Sequence, residues 1–196
     1  MFKRILFTFL GVFFSVNVYA NEVRKLPTPD KTSEIMKLIE NRKSSREYSN
    51  EEINLQTLSE ILWSAFGINE RGTRTIPTAK NEQNMKVYVV YDNSTWMYDA
   101  KENSLLKIND DNMMEHIAKQ DFVKDAPINL IYTGSDKDYS YLHAGAAVQN
   151  VHLYAVSKGL NTIVRGYIDK EGLKNKLNLE MNEFVIINQV IGYPRG

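Results

Sequence analysis

The stretch Asn41-Arg42-Lys43-Ser44-Ser45-Arg46-Glu47-Tyr48 gathers three cations and two hydroxyls into five consecutive positions, directly after a segment with helical apolar spacing. An arginine offers a planar fork of donors that fits a phosphate, a lysine adds a point charge, and a serine hydroxyl donates one further hydrogen bond. The stretch therefore suggests a site for a phosphate-bearing small molecule. By itself it also fits a solvated basic turn, because Lys and Arg complement the negative end of a helix dipole.

A helix is predicted immediately before this stretch. Thr32 or Ser33 can cap it, and Ile35, Leu38 and Ile39 would form its inward face. The anion site is therefore expected at a junction between a helix and a loop.

The rest of the chain mixes helices and strands without strict alternation. Asn54 can cap a second helix, and Gly67 is expected to end that helix in a left-handed turn. Further helices are predicted for residues 110–119, for residues 141–158, and after the cap Asp169, with Leu173 and Leu177 inward. Strands are predicted for residues 87–91, 95–98, 104–108, 128–132, 162–165 and 184–191. This is an α+β layout, with a mixed sheet and helices packed on it.

The longest predicted helix carries a stripe that is small in its first half. The stripe comprises Tyr141 or Leu142, Gly145, Ala146, Gln149, Leu153 and Val156. Small residues let another backbone approach closely, which suits a protein interior or a dimer axis, with tight core packing as the plainer explanation.

Residues 1–20 are interpreted as a secretory signal, with Lys3 and Arg4 before an apolar core and small residues at the cleavage positions. The apolar run is short for a membrane helix, which needs about 20 residues, and Asn17 interrupts it. We therefore expect an exported, periplasmic protein without a membrane anchor. Residues 21–31 are expected to be a flexible segment, and residues 32–196 a single domain.

Composition and motif content exclude several classes of function. Two of the 24 basic residues and none of the 24 acidic residues lie in the signal, so the mature chain has 22 basic and 24 acidic residues. The resulting net charge of −2 argues against nucleic-acid binding. The chain has no cysteine, and His116, His143 and His152 stand without partners at metal-ligand spacing, so no metal site is predicted. Hydrolase elbows and glycine-rich phosphate loops are also missing from the sequence. Side chains must therefore build the anion site.

Taken in order, these segments resemble the nitroreductase family of flavin enzymes over nearly all of the mature chain. Residues 42–48 match the family's Arg-Arg-Ser-x-Arg-x-Phe signature, with Lys43 for the second Arg and Tyr48 for Phe. Residues 77–81 are similar to the family's Pro-Ser-Ser/Ala-x-Asn stretch. The remaining matches are Lys158-Gly159-Leu160 with Ile163-Val164-Arg165-Gly166, similar to a helix-Gly-Leu-strand unit, and Gly192-Tyr193-Pro194, similar to a C-terminal Gly-Tyr-Pro.

The resemblance implies a mainly antiparallel sheet flanked by helices, with FMN held at the interface of a homodimer. It implies hydride transfer between the flavin and a small organic substrate by a ping-pong route, with the chemistry at flavin N5 and no catalytic side chain. NADH or NADPH would be the family's donor, which export from the cytoplasm puts in doubt. The implied cofactor-binding residues are Arg42, Lys43, Ser44, Arg46, Pro77, Thr78, Ala79, Asn81, Arg165, Gly166 and Arg195.

Within the family, residues 62–68 and 74–77 resemble the azoline-dehydrogenase-like branch, as do residues 87–90 and the Tyr98-Asp99 pair before Leu105. Characterised members of that branch use FMN to oxidise thiazoline or oxazoline rings in peptides. This chain is compact, with only residues 92–127 available to select a substrate. Lys137-Asp138-Tyr139 has the spelling of the branch's Lys-x-Tyr catalytic pair but lies in a polar loop, so a role for Lys137 and Tyr139 stays open.

Two other classes of function fit the basic stretch. One is an exported, non-catalytic binding protein for a flavin or a phosphorylated ligand. The other is a plain structural domain in which Arg42 and Arg46 only neutralise helix ends.

Overall fold

A computed structural model describes residues 23–196. Residues 32–196 form one compact unit, and residues 23–31, which belong to a separate unit, contain no helix or strand. The expected signal at residues 1–20 and the expected mature start at Asn21 lie outside the described residues. Within the described range, no helix has the length and apolar character needed to cross a bilayer.

In the described part of the chain, six strands form one sheet. They are β1 (Lys86–Tyr91), β2 (Ser94–Asp99), β3 (Ser104–Asn109), β4 (Ile128–Gly134), β5 (Asn161–Arg165) and β6 (Phe184–Gly192). The strand order is β3-β2-β1-β4-β6-β5, and the neighbours pair antiparallel. The predicted α+β fold with a mainly antiparallel sheet is confirmed, and the parallel component that a mixed sheet would contain is not among these pairings.

Five α-helices of residues 23–196 flank the sheet. They are α1 (Glu34–Asn41), α2 (Leu55–Phe66), α3 (Met114–Ile117), α4 (Ser140–Ser157) and α5 (Lys170–Lys176). Because side chains alternate along a strand, Val87 and Val89 pack in the core shared with α2 and α4, whereas Tyr88 and Val90 pack in the core shared with α3 and α5. The sheet therefore lies between two helical layers, and the central strand β4 is buried along its whole length.

Local signals set the ends of α2, although the glycine acts differently from our prediction. The Asn54 side chain accepts a hydrogen bond from the Thr57 N–H at 2.9 Å, as a helix cap should. Gly67 has a φ of −66°, so the predicted left-handed turn is wrong. A Cβ at Gly67 would clash with the Trp63 ring and lie 2.6 Å from the Trp63 carbonyl oxygen. Close approach of Trp63, rather than a positive φ, explains this glycine.

The predicted inward face of α1 is largely uncovered. Leu38 is half-buried, but Ile35 and Ile39 are 51% and 47% exposed, and α1 has no fully buried residue. α1 packs on α4, and the apolar pattern of α1 is only partly used by that contact.

The small-residue stripe of α4 lies only partly in the core. Ala144, Ala147 and Val151 are buried against the sheet, and Ala146 of the stripe packs against the same core. Elsewhere on the stripe, Leu142 is 67% exposed, and a Cβ placed on Gly145 would meet nothing within 4 Å. Tight core packing therefore explains only part of the stripe.

The helix predicted for residues 110–119 is reduced to the single turn α3. The Asp111 carboxylate accepts from the Met113 N–H at 2.8 Å, and Met113 adopts a left-handed φ of 56°. The Thr95 hydroxyl donates to the Asp111 carbonyl oxygen at 2.6 Å. Such side-chain bonds to the backbone compete with helix formation, which explains the difference.

Candidate functional site

Residues 42–48 form an extended segment along the outer edge of β5. The Ser45 N–H donates to the Thr162 carbonyl oxygen at 3.1 Å. One residue earlier on β5, the Asn161 side-chain amide donates to the Glu47 carbonyl oxygen at 2.7 Å. The backbone of the basic segment is therefore fixed beside the sheet, although it belongs to no strand.

Tyr48 anchors the far end of this segment. Its side chain is fully buried, its hydroxyl donates to the Ser45 carbonyl oxygen at 2.8 Å, and its ring stacks on Phe122 at 6.4 Å between centroids. Burial raises the pKa of Tyr48, so its phenol is neutral at ordinary pH. The next residue, Ser49, donates its N–H to the Tyr193 carbonyl oxygen at 2.9 Å and joins the segment to the C-terminal residues.

The basic side chains of the segment have no counter-ion within the part of the chain that the structure describes. Lys43, Ser44 and Arg46 are exposed, and Arg42 is half-buried. Among residues 23–196, no carboxylate lies within 4.0 Å of the cationic nitrogens of Arg42, Lys43 or Arg46. Three unpaired cations and a hydroxyl on a fixed backbone fit a phosphate group.

Arg195 lies at the same segment, but its guanidinium is partly committed. Its Nε donates to the Tyr48 carbonyl oxygen at 3.3 Å, and its Nη2 forms an ion pair with Asp125 at 2.9 Å. The side chain remains 62% exposed, so donors stay accessible to a ligand.

The Arg165 side chain points into the protein and is only 4% exposed. It donates to Gln120 Oε1 at 3.0 Å, to the Ile117 carbonyl at 3.0 Å, to Asn188 Oδ1 at 3.2 Å and to the Tyr167 carbonyl at 3.1 Å. This side chain therefore fastens residues 117–120 to the sheet.

Burial lowers the pKa of Arg165, but a guanidinium starts so high that it stays charged. No carboxylate among the described residues pairs with it, and its acceptors are neutral oxygens. Arg165 and its neighbour Gly166 can therefore offer only backbone groups to a ligand. Gly166 is exposed, and the space where its Cβ would stand is open.

The loop at residues 77–81 is shaped by two consecutive left-handed residues, Lys80 with φ 51° and Asn81 with φ 56°. Its Ala79 N–H donates to His143 Nε2 on α4 at 2.8 Å. The other ring nitrogen of His143, Nδ1, is buried and has no hydrogen-bond partner among residues 23–196. His143 thus positions the loop, a role that the sequence did not indicate because the two residues are 64 positions apart.

The basic segment and this loop lie at different ends of α4. The basic segment bonds Asn161 and Thr162 of β5, just after the C-terminal end of α4. The loop bonds His143, in the first turn of α4. Within one chain, the structure therefore brings residues 42–46 and Arg195 together but leaves residues 77–81 at a distance.

Lys137 and Tyr139 occupy the turn before α4. Lys137 is exposed, and Tyr139 lies 5.7 Å from the Lys80 ammonium, measured to the ring centroid. The Tyr139 side chain is therefore associated with the loop at residues 77–81 rather than with the basic segment.

With this geometry established, comparison with known proteins identifies the family. The sequence model of the nitroreductase family matches residues 39–193. The chain belongs to the nitroreductase family. It is therefore an oxidoreductase, and the resemblance predicted from the basic segment, the loop and the C-terminal residues is confirmed.

Two relatives extend this nitroreductase assignment. A protein of Methanocaldococcus jannaschii, named as a candidate nitroreductase, is 32% identical over 153 residues, which cover 66% of this chain and 77% of the relative. The crystal structure of a candidate nitroreductase from Ralstonia eutropha is 31% identical, with a TM-score of 0.77 over 87% of this chain and 89% of that chain.

A third similarity concerns the fold alone. A chain of the E. coli microcin synthetase complex, solved with a truncated microcin precursor bound, has a TM-score of 0.68 and 14% identity, over 93% of this nitroreductase and 79% of that chain. The assignment to the azoline-dehydrogenase-like branch stays a prediction, since identity this low reports shared architecture and not shared chemistry.

Proposed function

We propose that this nitroreductase uses FMN to transfer a hydride between the flavin and a small organic substrate. The observation that carries the proposal is the set of Arg42, Lys43 and Arg46, which project from one fixed segment without a carboxylate partner among residues 23–196. A phosphate monoester carries up to two negative charges and three strong acceptor oxygens. Family membership supports FMN over other phosphorylated ligands.

In this proposal Arg42, Lys43 and Arg46 neutralise the phosphate, and the Ser44 hydroxyl donates a hydrogen bond to it. Arg195 adds donors at the same end of the site. The hydrogen bond to Thr162 fixes the backbone of the segment before the ligand arrives, so ordering on binding is required mainly of the side chains.

The flavin ring would contact backbone groups at Arg165 and Gly166, because the Arg165 side chain is engaged inside the protein. Bound flavin supplies the hydride chemistry through its ring. The chain's contribution is to bind the phosphate, orient the ring and limit access of water. A donor and an acceptor would occupy the exposed ring face in turn, which is a ping-pong scheme.

A second subunit would complete the site. The residues predicted to reach the ring are Pro77, Thr78, Ala79 and Asn81, and their loop bonds the first turn of α4. The phosphate-binding segment of the same chain bonds β5, which follows the other end of α4. The partner's copy of this loop is the natural source of those contacts. Exposed apolar side chains around α4 support a homodimer. They are Ile35 and Ile39 on α1, Trp63 on α2 and Leu142 on α4 itself, and both α1 and α2 contact α4.

Export would decide the electron donor. If residues 1–20 direct the chain to the periplasm, cytoplasmic NADH and NADPH are out of reach, and the flavin must exchange electrons with another donor or pass them onward. The mass of the secreted protein tests the signal, since cleavage after Ala20 leaves Asn21 as the first residue.

The visible spectrum of the purified protein tests the flavin. We expect a yellow chromophore, released on denaturation as FMN and bleached by a reductant chosen from a donor screen. A protein that stays colourless after refolding with FMN would rule the proposal out. A protein that binds FMN but passes electrons to no acceptor would instead favour the non-catalytic binding protein.

A further inference from the structure

A second group of basic side chains lies where the end of β4, the start of α4 and α5 meet. A cavity of about 330 Å³ opens there. Its wall includes Lys137, Tyr141, Lys170, Glu171, Lys174 and Phe184. None of these residues belongs to the proposed FMN site.

Two aromatic rings form the floor of this cavity. The rings of Tyr141 and Phe184 pack with centroids 5.9 Å apart and planes tilted by 33°. Tyr141 is 57% exposed, so much of its surface remains open to a ligand. The Lys170 ammonium lies 6.0 Å from the Tyr141 ring centroid and places a cation beside the ring.

The lysines of the cavity have little to neutralise them. Among the described residues, no carboxylate lies within 4.0 Å of the ammonium groups of Lys137, Lys170 or Lys174. Lys174 donates to the neutral Met181 carbonyl oxygen at 3.1 Å. Glu171 contributes one negative charge to the wall, which leaves an excess of cations around an apolar floor.

We propose that this cavity binds a small planar aromatic anion, such as an aromatic carboxylate, sulfonate or phosphate. The ring would stack on Tyr141 and Phe184, and the anionic group would meet the three ammonium groups. The cavity volume is at the lower end of the range for small-molecule sites, which suits a ligand of one or two rings. The proposal is independent of the FMN site and of its cofactor.

Three probes separate the two parts of this recognition. Isothermal titration of the purified protein with naphthalene-2-sulfonate is expected to give saturable one-to-one binding that weakens with added salt. Methanesulfonate carries the charge without the ring, and 2-naphthol carries the ring without the charge at neutral pH. Each of these two is expected to bind at least about tenfold more weakly, since each lacks one class of contact.

Variants locate the site. Exchange of Lys137, Lys170 and Lys174 for Gln should weaken naphthalene-2-sulfonate at least about tenfold, because charge-assisted contacts are lost. Glu171→Gln should strengthen it about two- to threefold by removing the opposing charge. A control with the same change in net charge exchanges the exposed Lys101, Lys119 and Lys124 for Gln and should leave the affinity unchanged.

The proposal is overturned if naphthalene-2-sulfonate does not bind, or if the pocket triple variant and the control triple variant bind it equally well. Equal binding by both would mean that the probe sits elsewhere, including over the flavin. Because Glu171→Gln predicts a gain, its result cannot be explained by damage to the fold.

Discussion

Arg46 and Arg165 are both arginines of the predicted site, but their guanidinium groups have different surroundings. Arg46 is exposed and has no carboxylate within 4.0 Å among the described residues. Arg46→Ala should therefore weaken FMN binding about 10- to 100-fold, since a charge-assisted hydrogen bond contributes about 1.5–3 kcal/mol. Fluorescence titration of the apoprotein with FMN measures this loss.

The matched control for that experiment is Arg71→Ala, at another exposed arginine. Both variants should unfold within about 0.5 kcal/mol of the wild type, as surface substitutions usually do. A lower melting temperature for Arg46→Ala with unchanged FMN affinity would support the structural-domain interpretation of the basic segment.

Arg165→Met should act on stability. The change leaves four neutral acceptors without their donor, among them the buried Asn188 side chain. We expect a loss of about 2–4 kcal/mol in the free energy of unfolding, because each unsatisfied buried group costs about 1–3 kcal/mol. Part of this cost is offset because the variant no longer buries the charge of a guanidinium. Urea denaturation of Arg165→Met and Arg165→Lys measures it, and an unchanged midpoint for Arg165→Met would refute the buried role.

At the scale of elements, Glu60 joins α2 to α4. Its carboxylate accepts from the Tyr154 hydroxyl at 2.6 Å and from Gln56 at 2.8 Å, and pairs with Lys158 at 2.9 Å. These contacts, in that order, lower the pKa of Glu60 from 4.5 to about 2. The stabilisation is therefore present above pH 4.5 and is lost as the pH falls toward 2.

Glu60→Gln should reduce stability at pH 7 but not near pH 2, because a neutral side chain can still accept from Tyr154. Urea unfolding across this pH range should show the difference from wild type shrinking with acid. Glu51→Gln, at an exposed carboxylate, serves as the control. A difference that does not depend on pH would contradict the assignment.

Gly172 lies inside α5, where glycine costs about 1 kcal/mol relative to alanine. A Cβ at this position would clash with His116 Nδ1 and Asp169 Oδ2, which bond each other at 2.9 Å. Gly172→Ala should therefore destabilise the protein by about 1–3 kcal/mol despite the better helix propensity.

The same change in a His116→Ala background should destabilise less, since the obstructing ring is gone while Asp169 Oδ2 still lies close to the added Cβ. Thermal unfolding of the two single variants and the double variant measures this coupling. If Gly172→Ala stabilises the wild type, His116 does not limit the packing of α5.

At the scale of the whole molecule, the exposed apolar residues of α1 and α4 predict a dimer that carries the flavin. Leu142→Asp should halve the mass measured by light scattering and release FMN, because a charge would be buried at the interface. Leu106→Asp, at a leucine 46% exposed on β3, should stay dimeric and yellow. A Leu142→Asp dimer that retains its FMN would place the subunit contact elsewhere.

The amino-acid sequence determined those features whose causes lie within a few residues. Asn54 and Asp169 cap their helices through N–H groups three positions away, and Gly159 ends α4 with a φ of 68°. Short runs of β-branched, aromatic and other apolar residues placed the strands, and the basic segment with its companion motifs predicted the family correctly.

Tertiary structure decided what depends on distant partners. The Arg165 side chain is drawn inward by acceptors up to 48 positions away, and His143 holds a loop 64 positions away. Packing against Trp63 removed the left-handed turn predicted at Gly67, and bonds around Asp111 shortened α3. Periodicity reveals that a side chain is apolar and faces one side of its element, but only the packed fold determines which neighbour, if any, covers it. For this reason Ile35 and Leu142 are exposed, although helical spacing predicted Ile35 on the inward face of α1 and Leu142 on the stripe of α4.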